Sequence, residues 1–370
     1  LLQDRFYALT STGYSKFKGV APDVSYSSGK LVTSDIDGDG IEEILVCGAA
    51  TPGKYPLSDP TLLLKYENNV YKDVTSTIIP ELTNVRLARD AVFSDLNQDE
   101  KLDLIVVSEW GKPAVFIQSV DGKFVDETDS YIAEEKYGWW ASIEAVDIDN
   151  DGDDDYIIGN MGENIKHGVS KKKPLYLYAN DFDKNGSLDV VLAKEYKGEI
   201  VPARGRECSS EQMPFIARKF ESYTDFANAN IEDILGEKSV DEAQKYQATS
   251  FGSYILRNNG GSLSYEKLPA LSQIAPLNSS VIYDYNKDGF MDIIIAGNYY
   301  DTEYETPRQD AGRGLVLINN GGESFDAIPS WISGLDLNGN FRHISLLNRK
   351  DDTLLVAIEN NGPLKIYKLP

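Results

Sequence analysis

The sequence predicts an all-β chain: one ring of repeated four-stranded sheets with a small helical insertion. Three observations predict it. A nine-residue acidic pattern recurs five times. Each copy runs directly into β-branched or aliphatic residues. The copies start 60, 52, 34 and 103 residues apart, the last interval holding an insertion, and units of roughly 45 to 60 residues suit one four-stranded sheet. The composition allows such a core, with 41% apolar and 11% aromatic residues in 370, well above the range of acidic disordered chains.

The copies read SDIDGDGIEEILV from Ser34, SDLNQDEKLDLIVV from Ser94, VDIDNDGDDDYII from Val146, NDFDKNGSLDVVL from Asn180 and YDYNKDGFMDIII from Tyr283. Oxygen-bearing side chains occupy positions 1, 3 and 5, and a carboxylate occupies position 9. These are Asp35, Asp37, Asp39 and Glu43; Asp95, Asn97, Asp99 and Asp103; Asp147, Asp149, Asp151 and Asp155; Asp181, Asp183, Asn185 and Asp189; and Asp284, Asn286, Asp288 and Asp292. Alternate side chains of a tight loop converge on one centre, and a glycine at position 6 permits the bend. Oxygen donors in this number suit Ca²⁺ and match Zn²⁺ or copper poorly. A single copy could equally be a polar turn; five in phase predict up to five Ca²⁺ sites. The second loop has Glu100 in place of glycine and is the weakest of them.

The pattern differs from an EF-hand, whose last carboxylate stands at position 12 between two helices. Here position 9 leads into ILV, IVV, II, VVL or III, and the preceding residues, as in KLVTSD and DAVFSD, are β-prone. Each loop therefore joins the first two strands of a unit and pins their register. The first aspartates fall at 35, 95, 147, 181 and 284. A sixth unit, FRHISLLNRKDDTLLVAIENNGPLKIYKL, keeps strands but lacks the ligands. The expected architecture is a single β-propeller over residues 1–370, with six blades, or seven if the first and last segments belong to separate ones. Leu1 to about Val20 would complete the last blade and close the ring. A helical insertion is expected at 205–247 within the fourth blade, where Phe215, Ile216, Phe220, Tyr223 and Phe226, then Ile231, Ile234 and Leu235, recur at three- and four-residue spacing. Its helices are expected to lie across the loop face as a cap.

The charge narrows the partners. The chain has 36 Lys+Arg against 59 Asp+Glu, a net charge of -23, which repels nucleic acid and anionic lipid. No stretch is apolar for long enough to cross a bilayer as a helix. Cys47 and Cys208 are too few for a disulfide framework. Starting at Leu1-Leu2-Gln3, the chain reads as part of a longer precursor. Open calcium loops of this kind bind at about 10⁻⁴ to 10⁻³ M, which fits an extracellular or cell-surface location and not the cytosol.

These repeats resemble the FG-GAP/VCBS repeats, calcium-bearing propeller units also found in integrin α-chains. The strings GWWASIEAVDIDNDGDDDYIIGNMGEN, RGRECSSEQMPF and AGNYYDTEYETPRQDAGRGLVL are similar to bacterial VCBS-repeat proteins related to the ASPIC/UnbV group. That resemblance implies an exported or outer-surface protein and leaves its biochemical role open. Glu100 and the ligand-free sixth unit depart from the pattern.

Function must come from a site, since propellers host many. With the metal loops on one face, the longer loops after each second strand emerge on the other. They gather Trp110, Asn160, Asn164, Arg204, Arg206, Tyr300, Glu303, Arg308 and Asp310, and the segment before the third loop adds Trp139 and Trp140. This face is the candidate binding surface for a protein or glycan at the cell surface. Each residue also has a plainer use: the tryptophans begin a strand and would pack between blades, the asparagines flank glycines in turns, and Arg308 and Asp310 can pair. The expected function is an exported, calcium-stabilised binding or adhesion module. The alternative is a polysaccharide-active enzyme using Glu303, Glu207 or Asp310, which needs two carboxylates at a suitable separation.

Overall fold

The computed structural model describes residues 6–17, 27–302 and 306–370. In chain order the strands are β1 (Phe6–Thr10), β2 (Gly13–Phe17), β3 (Ser28–Ser34), β4 (Glu43–Gly48), β5 (Leu62–Glu67), β6 (Val70–Asp73), β7 (Ala88–Ser94), β8 (Asp103–Gly111), β9 (Ala114–Gln118), β10 (Phe124–Asp126), β11 (Gly138–Trp139), β12 (Ser142–Val146), β13 (Asp155–Gly159), β14 (Leu175–Asn180), β15 (Asp189–Tyr196), β16 (Glu199–Pro202), β17 (Gln244–Ala248), β18 (Tyr254–Asn258), β19 (Leu263–Lys267), β20 (Ser279–Tyr283), β21 (Asp292–Ala296), β22 (Leu315–Asn319), β23 (Phe325–Pro329), β24 (Phe341–Asn348), β25 (Thr353–Glu359) and β26 (Lys365–Lys368). All pairings are antiparallel.

Five sheets follow one another: β3-β4-β5-β6, β7-β8-β9-β10, β12-β13-β18-β19, β20-β21-β22-β23 and β24-β25-β26. Their first strands pack in series, β3 on β7, β7 on β12, β12 on β20 and β20 on β24. The second strands β4, β8, β13 and β21 are buried on both faces, and their two-residue period divides each between neighbours. Leu104 and Val106 of β8 join the core shared with the first sheet, whereas Ile105 and Val107 face the third. Tyr156 and Ile158 of β13 face the second sheet and Ile157 faces the fourth. Ile293 and Ile295 of β21 look back to the third sheet, and Ile294 and Ala296 look on to the fifth. Each such side chain contributes about 1.5–3 kcal/mol by leaving water, so an uninterrupted aliphatic run after position 9 is what a strand between two sheets requires.

Two series of polar contacts lock the same order. Near the starts of the first strands, Lys30 binds Asp90 at 2.8 Å, Asp90 accepts the Ile143 N–H at 3.1 Å, the Ser142 hydroxyl donates to the Leu277 carbonyl at 3.1 Å and Ser279 accepts the Ile344 N–H at 3.2 Å. Beside the acidic loops, a buried amide at the end of the third strand of the second, third and fourth sheets reaches the loop of the preceding sheet. Gln118 donates to the Ile36 carbonyl at 2.9 Å, Asn258 to Leu96 at 3.0 Å and Asn319 to Ile148 at 2.6 Å.

The fourth acidic repeat departs from the expected succession of blades. Its hairpin, β14-β15, belongs to a sheet ordered β16-β15-β14-β17, and this whole sheet is inserted between β13 and β18. The third strand of the third sheet is therefore β18, beyond the insertion. The five short helices between Arg206 and Asp241 link β16 to β17, and they pack on one face of this sheet through Ile216, Phe226, Ile231, Ile234 and Leu235 against Tyr178, Phe182 and Val191. They do not form the cap over the loops expected from the sequence. The sheet itself does, because its opposite face, with Leu175 and Leu177, packs on Leu87, Trp110 and Phe251.

The amino-terminal strands also differ from expectation. β1 and β2 pair with each other, and Phe6 stacks on Tyr71 of β6 with ring centroids 5.5 Å apart. They lie against the first sheet and leave the last at three strands. The chain is thus mostly β, in several antiparallel sheets, and its repeats are not six equivalent units in sequence order.

Candidate functional site

In all five acidic loops the first aspartate accepts the backbone N–H groups of positions 5 and 6, at 2.8–3.1 Å. That closure puts two residues in the left-handed region. Position 6 is Gly40, Gly152, Gly186 or Gly289, and in the second loop Glu100 at φ 68°. Position 4 is also left-handed, with Gly38, Gln98, Asn150, Lys184 and Lys287 at φ between 59° and 72°. The sequence reading identified the bend at position 6 and missed the one at position 4, where only the first loop has glycine.

Position 9 is buried in every loop, with Glu43, Asp103, Asp155, Asp189 and Asp292 at most 3% exposed. One carboxylate oxygen accepts the position 2 N–H in four of them, at 2.8–3.2 Å. In three sheets the other accepts an N–H of the third strand at 2.8 Å, from Gln118, Asn258 or Asn319. Burial pushes the carboxyls of Asp103 and Asp155 up to about 6 and raises Glu43, Asp189 and Asp292.

The remaining carboxylates converge. Oxygens of Asp35, Asp37 and Asp39 lie within 4.8 Å of one another, as do those of Asp147, Asp149 and Asp151 and those of Asp181, Asp183 and Asp189. Two loops also meet a protein cation from the third strand. Lys65 binds Asp37 and stands 3.7 Å from Asp39 and Glu43; Arg257 is 3.5 Å from Asp149 and 3.1 Å from Asp155. In the second loop Lys101 holds Asp99 at 2.8 Å. The buried Glu43 Oε1 has no hydrogen bond among the described residues, an acceptor that a bound cation would use. The donor set, oxygen throughout and clustered, fits a hard divalent cation.

At the other end of the sheets lies a pocket of about 580 Å³, between the loops and the inserted sheet. Four expected residues meet there: Trp110, Trp139, Trp140 and Arg204. Trp110 and Trp139 pack edge to face at 5.0 Å, and Trp139 also meets Phe251 at 4.7 Å. Trp140 is buried and donates its Nε1 hydrogen to the Gly111 carbonyl at 2.9 Å, so it holds the wall. Leu177, Val190 and Leu192 of the inserted sheet form the facing wall.

The pocket also holds residues that the sequence did not single out: Tyr55, Arg89, Glu109, Tyr299, Gln309 and Arg342. The Tyr55 hydroxyl donates to Glu109 at 2.6 Å, receives the Trp110 Nε1 hydrogen, and is raised above its ordinary pKa by burial and by Glu109. Arg342 lies 5.0 Å from the Tyr299 ring and binds Asp301 at 3.1 Å. Arg89 and Arg342 sit on first strands, outside the loops after second strands and the segment before the third loop from which the candidates come.

Other expected contacts are structural or lie elsewhere. Asn160 is fully buried, accepts the Trp139 and Met161 N–H groups and donates to the Ser250 carbonyl. Asn164 donates to the Ile274 carbonyl at 3.3 Å. Arg206 ties two helices of the inserted segment through the Phe220 and Ala217 carbonyls. Arg308 lies over the Tyr300 ring at 5.2 Å, outside the pocket lining, and Asp310 is exposed. Glu303 lies outside the described residues.

Residues 95–158 match the FG-GAP-like repeat. The matched segment begins at the first aspartate of the second loop, takes in the third loop and ends in β13, so two acidic loops belong to that FG-GAP-like stretch. No curated protein matches the chain in sequence. Among solved structures, the biofilm matrix protein Bap1 of V. cholerae is similar at 10% identity, with a TM-score of 0.29, covering 95% of this chain and 76% of that one. At that level nothing about this chain follows from the likeness.

Proposed function

We propose that the protein is an exported binding or adhesion module, its sheets arranged as propeller blades, that recognises a protein or glycan in the pocket opposite the acidic loops. One observation carries the reading. The inserted sheet lies over the loop ends and forms one wall of a half-open pocket that gathers Trp110, Trp139, Tyr55 and Tyr299 with arginines and a buried amide, in a volume typical of ligand pockets, about 300–1,000 Å³. The buried Gln309 Oε1 and the Trp139 Nε1 hydrogen have no protein partner among the described residues, an acceptor and a donor available to a ligand. Leaving both unmet costs about 1–3 kcal/mol each.

The acidic loops are proposed to hold Ca²⁺, up to five ions through the residues at positions 1, 3, 5 and 9. The ions would fasten each first hairpin and so position the loops at the far ends of the strands. Binding is preferred to hydrolysis because both described carboxylates of the pocket are engaged: Glu109 by the Tyr55 hydroxyl and Asp301 by Arg342. Of the carboxylates considered for catalysis, Glu207 accepts the Tyr223 hydroxyl on the far side of the inserted sheet.

A glycan array probed with the full chain and with Trp139→Ala tests the reading. Sugars retained by the parent and lost by the variant are the expected result. Retention unchanged in Trp139→Ala would place recognition elsewhere on the surface.

A further inference from the structure

We propose that the pocket selects a carboxylate-bearing sugar and that Arg89 is the residue that meets its charge. The inference rests on the binding reading above and goes on to name the ligand class.

The geometry begins with two β-bulges. In the β7-β8 ladder Ala88 faces Ser108 and Asp90 faces Val107, so Arg89 is the extra residue. In the β24-β25 ladder Phe341 faces Glu359 and His343 faces Ile358, so Arg342 is the extra residue. A bulge re-aims a side chain that the regular pleat would send elsewhere. Both extra residues are arginines and both line the same pocket.

Charge then separates the two. The chain is strongly acidic, at -23, and the cations beside its acidic loops are engaged by carboxylates. Arg342 is likewise held by Asp301. Arg89 is exposed and, among the described residues, makes neither an ion pair nor a hydrogen bond. A guanidinium with no ion pair or hydrogen bond among the described residues, carried by a bulge to the lining of a half-open aromatic pocket, is suited to the fork geometry of a carboxylate.

The remaining groups favour a sugar as the body that carries the charge. Gln309 is 6% exposed and offers an unmet acceptor, and Trp139 offers an unmet donor. A hydroxyl can answer either, and a ring bearing several can answer both. The Trp139 and Tyr299 rings and the aliphatic wall of Leu177 and Leu192 supply apolar surface for the C–H faces of such a ring.

The test is a titration of the full chain with tri-galacturonate and with its methyl ester, which keeps the shape and removes the charge. Intrinsic tryptophan fluorescence and calorimetry provide the readouts. The acid should bind at least about tenfold more tightly than the ester, the range of a charge-assisted contact. High salt and Arg89→Gln should each reduce that preference, and Arg89→Lys should retain part of it. Because Arg89 is exposed, its replacement does not threaten the fold. Equal affinity for acid and ester, a preference that survives Arg89→Gln, or no binding of either would overturn the inference. Failure of the broader reading looks different: ligands found on the array would bind Trp139→Ala as well as they bind the parent.

Discussion

Asn319→Ala tests the idea that the sheets are held in order by amides reaching from one to the acidic loop of the one before. The Asn319 side chain is fully buried and donates to the Ile148 carbonyl at 2.6 Å and the Met291 carbonyl at 3.2 Å, while its oxygen accepts the Gly322 N–H at 2.7 Å. Truncation removes all three bonds. The Ile148 carbonyl is left in a buried site, and orphaning such a group costs about 1–3 kcal/mol; the two partly buried groups add less, so the expected loss is about 2–4 kcal/mol. Against a usual stability of about 5–15 kcal/mol, urea denaturation followed by tryptophan fluorescence would show it clearly. Asn320→Ala is the control: the adjacent residue is exposed, its 3.4 Å contact to Ser324 is on the surface, and its loss should stay within about 0.5 kcal/mol. A loss below about 1 kcal/mol for Asn319→Ala, or an equal loss in the control, would refute the argument.

Three further outcomes are expected. Excess chelator should lower the melting temperature and added Ca²⁺ should restore it, because an ion that binds only the folded loops stabilises them; an unchanged melting temperature removes calcium from the account. Gly152→Ala should cost about 1–2 kcal/mol in denaturant titration through the backbone alone, since Gly152 stands at φ 96° with nothing within 4 Å of an added Cβ; Glu100→Gly should at least preserve stability, because Glu100 already bears that strain at φ 68°. Burial pushes the Glu144 carboxyl up to about 7 from about 4.5, with Lys30 opposing and Asp90 adding to the rise. The folded state then holds the proton more tightly, so this contribution is complete below about pH 4.5 and is lost as pH rises through about 7. Relative to the parent, Glu144→Gln should therefore gain stability across that window, by at most about 3 kcal/mol; a constant difference from pH 4 to 8 would contradict it.

Much of the local structure was legible in the residues. Asp35 to Glu43 and its four counterparts announce a tight loop, and the aliphatic run behind each announces a buried second strand. The site was legible only in part. Trp110, Trp139, Trp140 and Arg204 reach the pocket, but Asn160 serves the backbone, and Arg89 and Arg342 enter through bulges that no local sequence feature marks. One long-range cue was present. The segments ending β9, β18 and β22 each place an amide just before a turn, at Gln118, Asn258 and Asn319. The second of these stands without an acidic loop immediately upstream, which marks it as the delayed third strand of an earlier unit.

The sequence by itself determined the hairpins, because a loop and its two strands interact with chain neighbours and their spacing carries the geometry. It also determined the oxygen-rich character of the loops, since donor chemistry is a property of residue types. Tertiary structure alone decided that β13 pairs with β18 across an entire inserted sheet, and that this sheet, not its helices, roofs the pocket. The reason is physical. Both faces and both edges of β13 must be satisfied, and the partner that best fills the open edge is chosen by packing with Leu256 and by the Asp155 carboxylate accepting the Asn258 N–H, contacts that span about a hundred residues of chain. Apart from the Asn258 amide, nothing local to either strand encodes that choice.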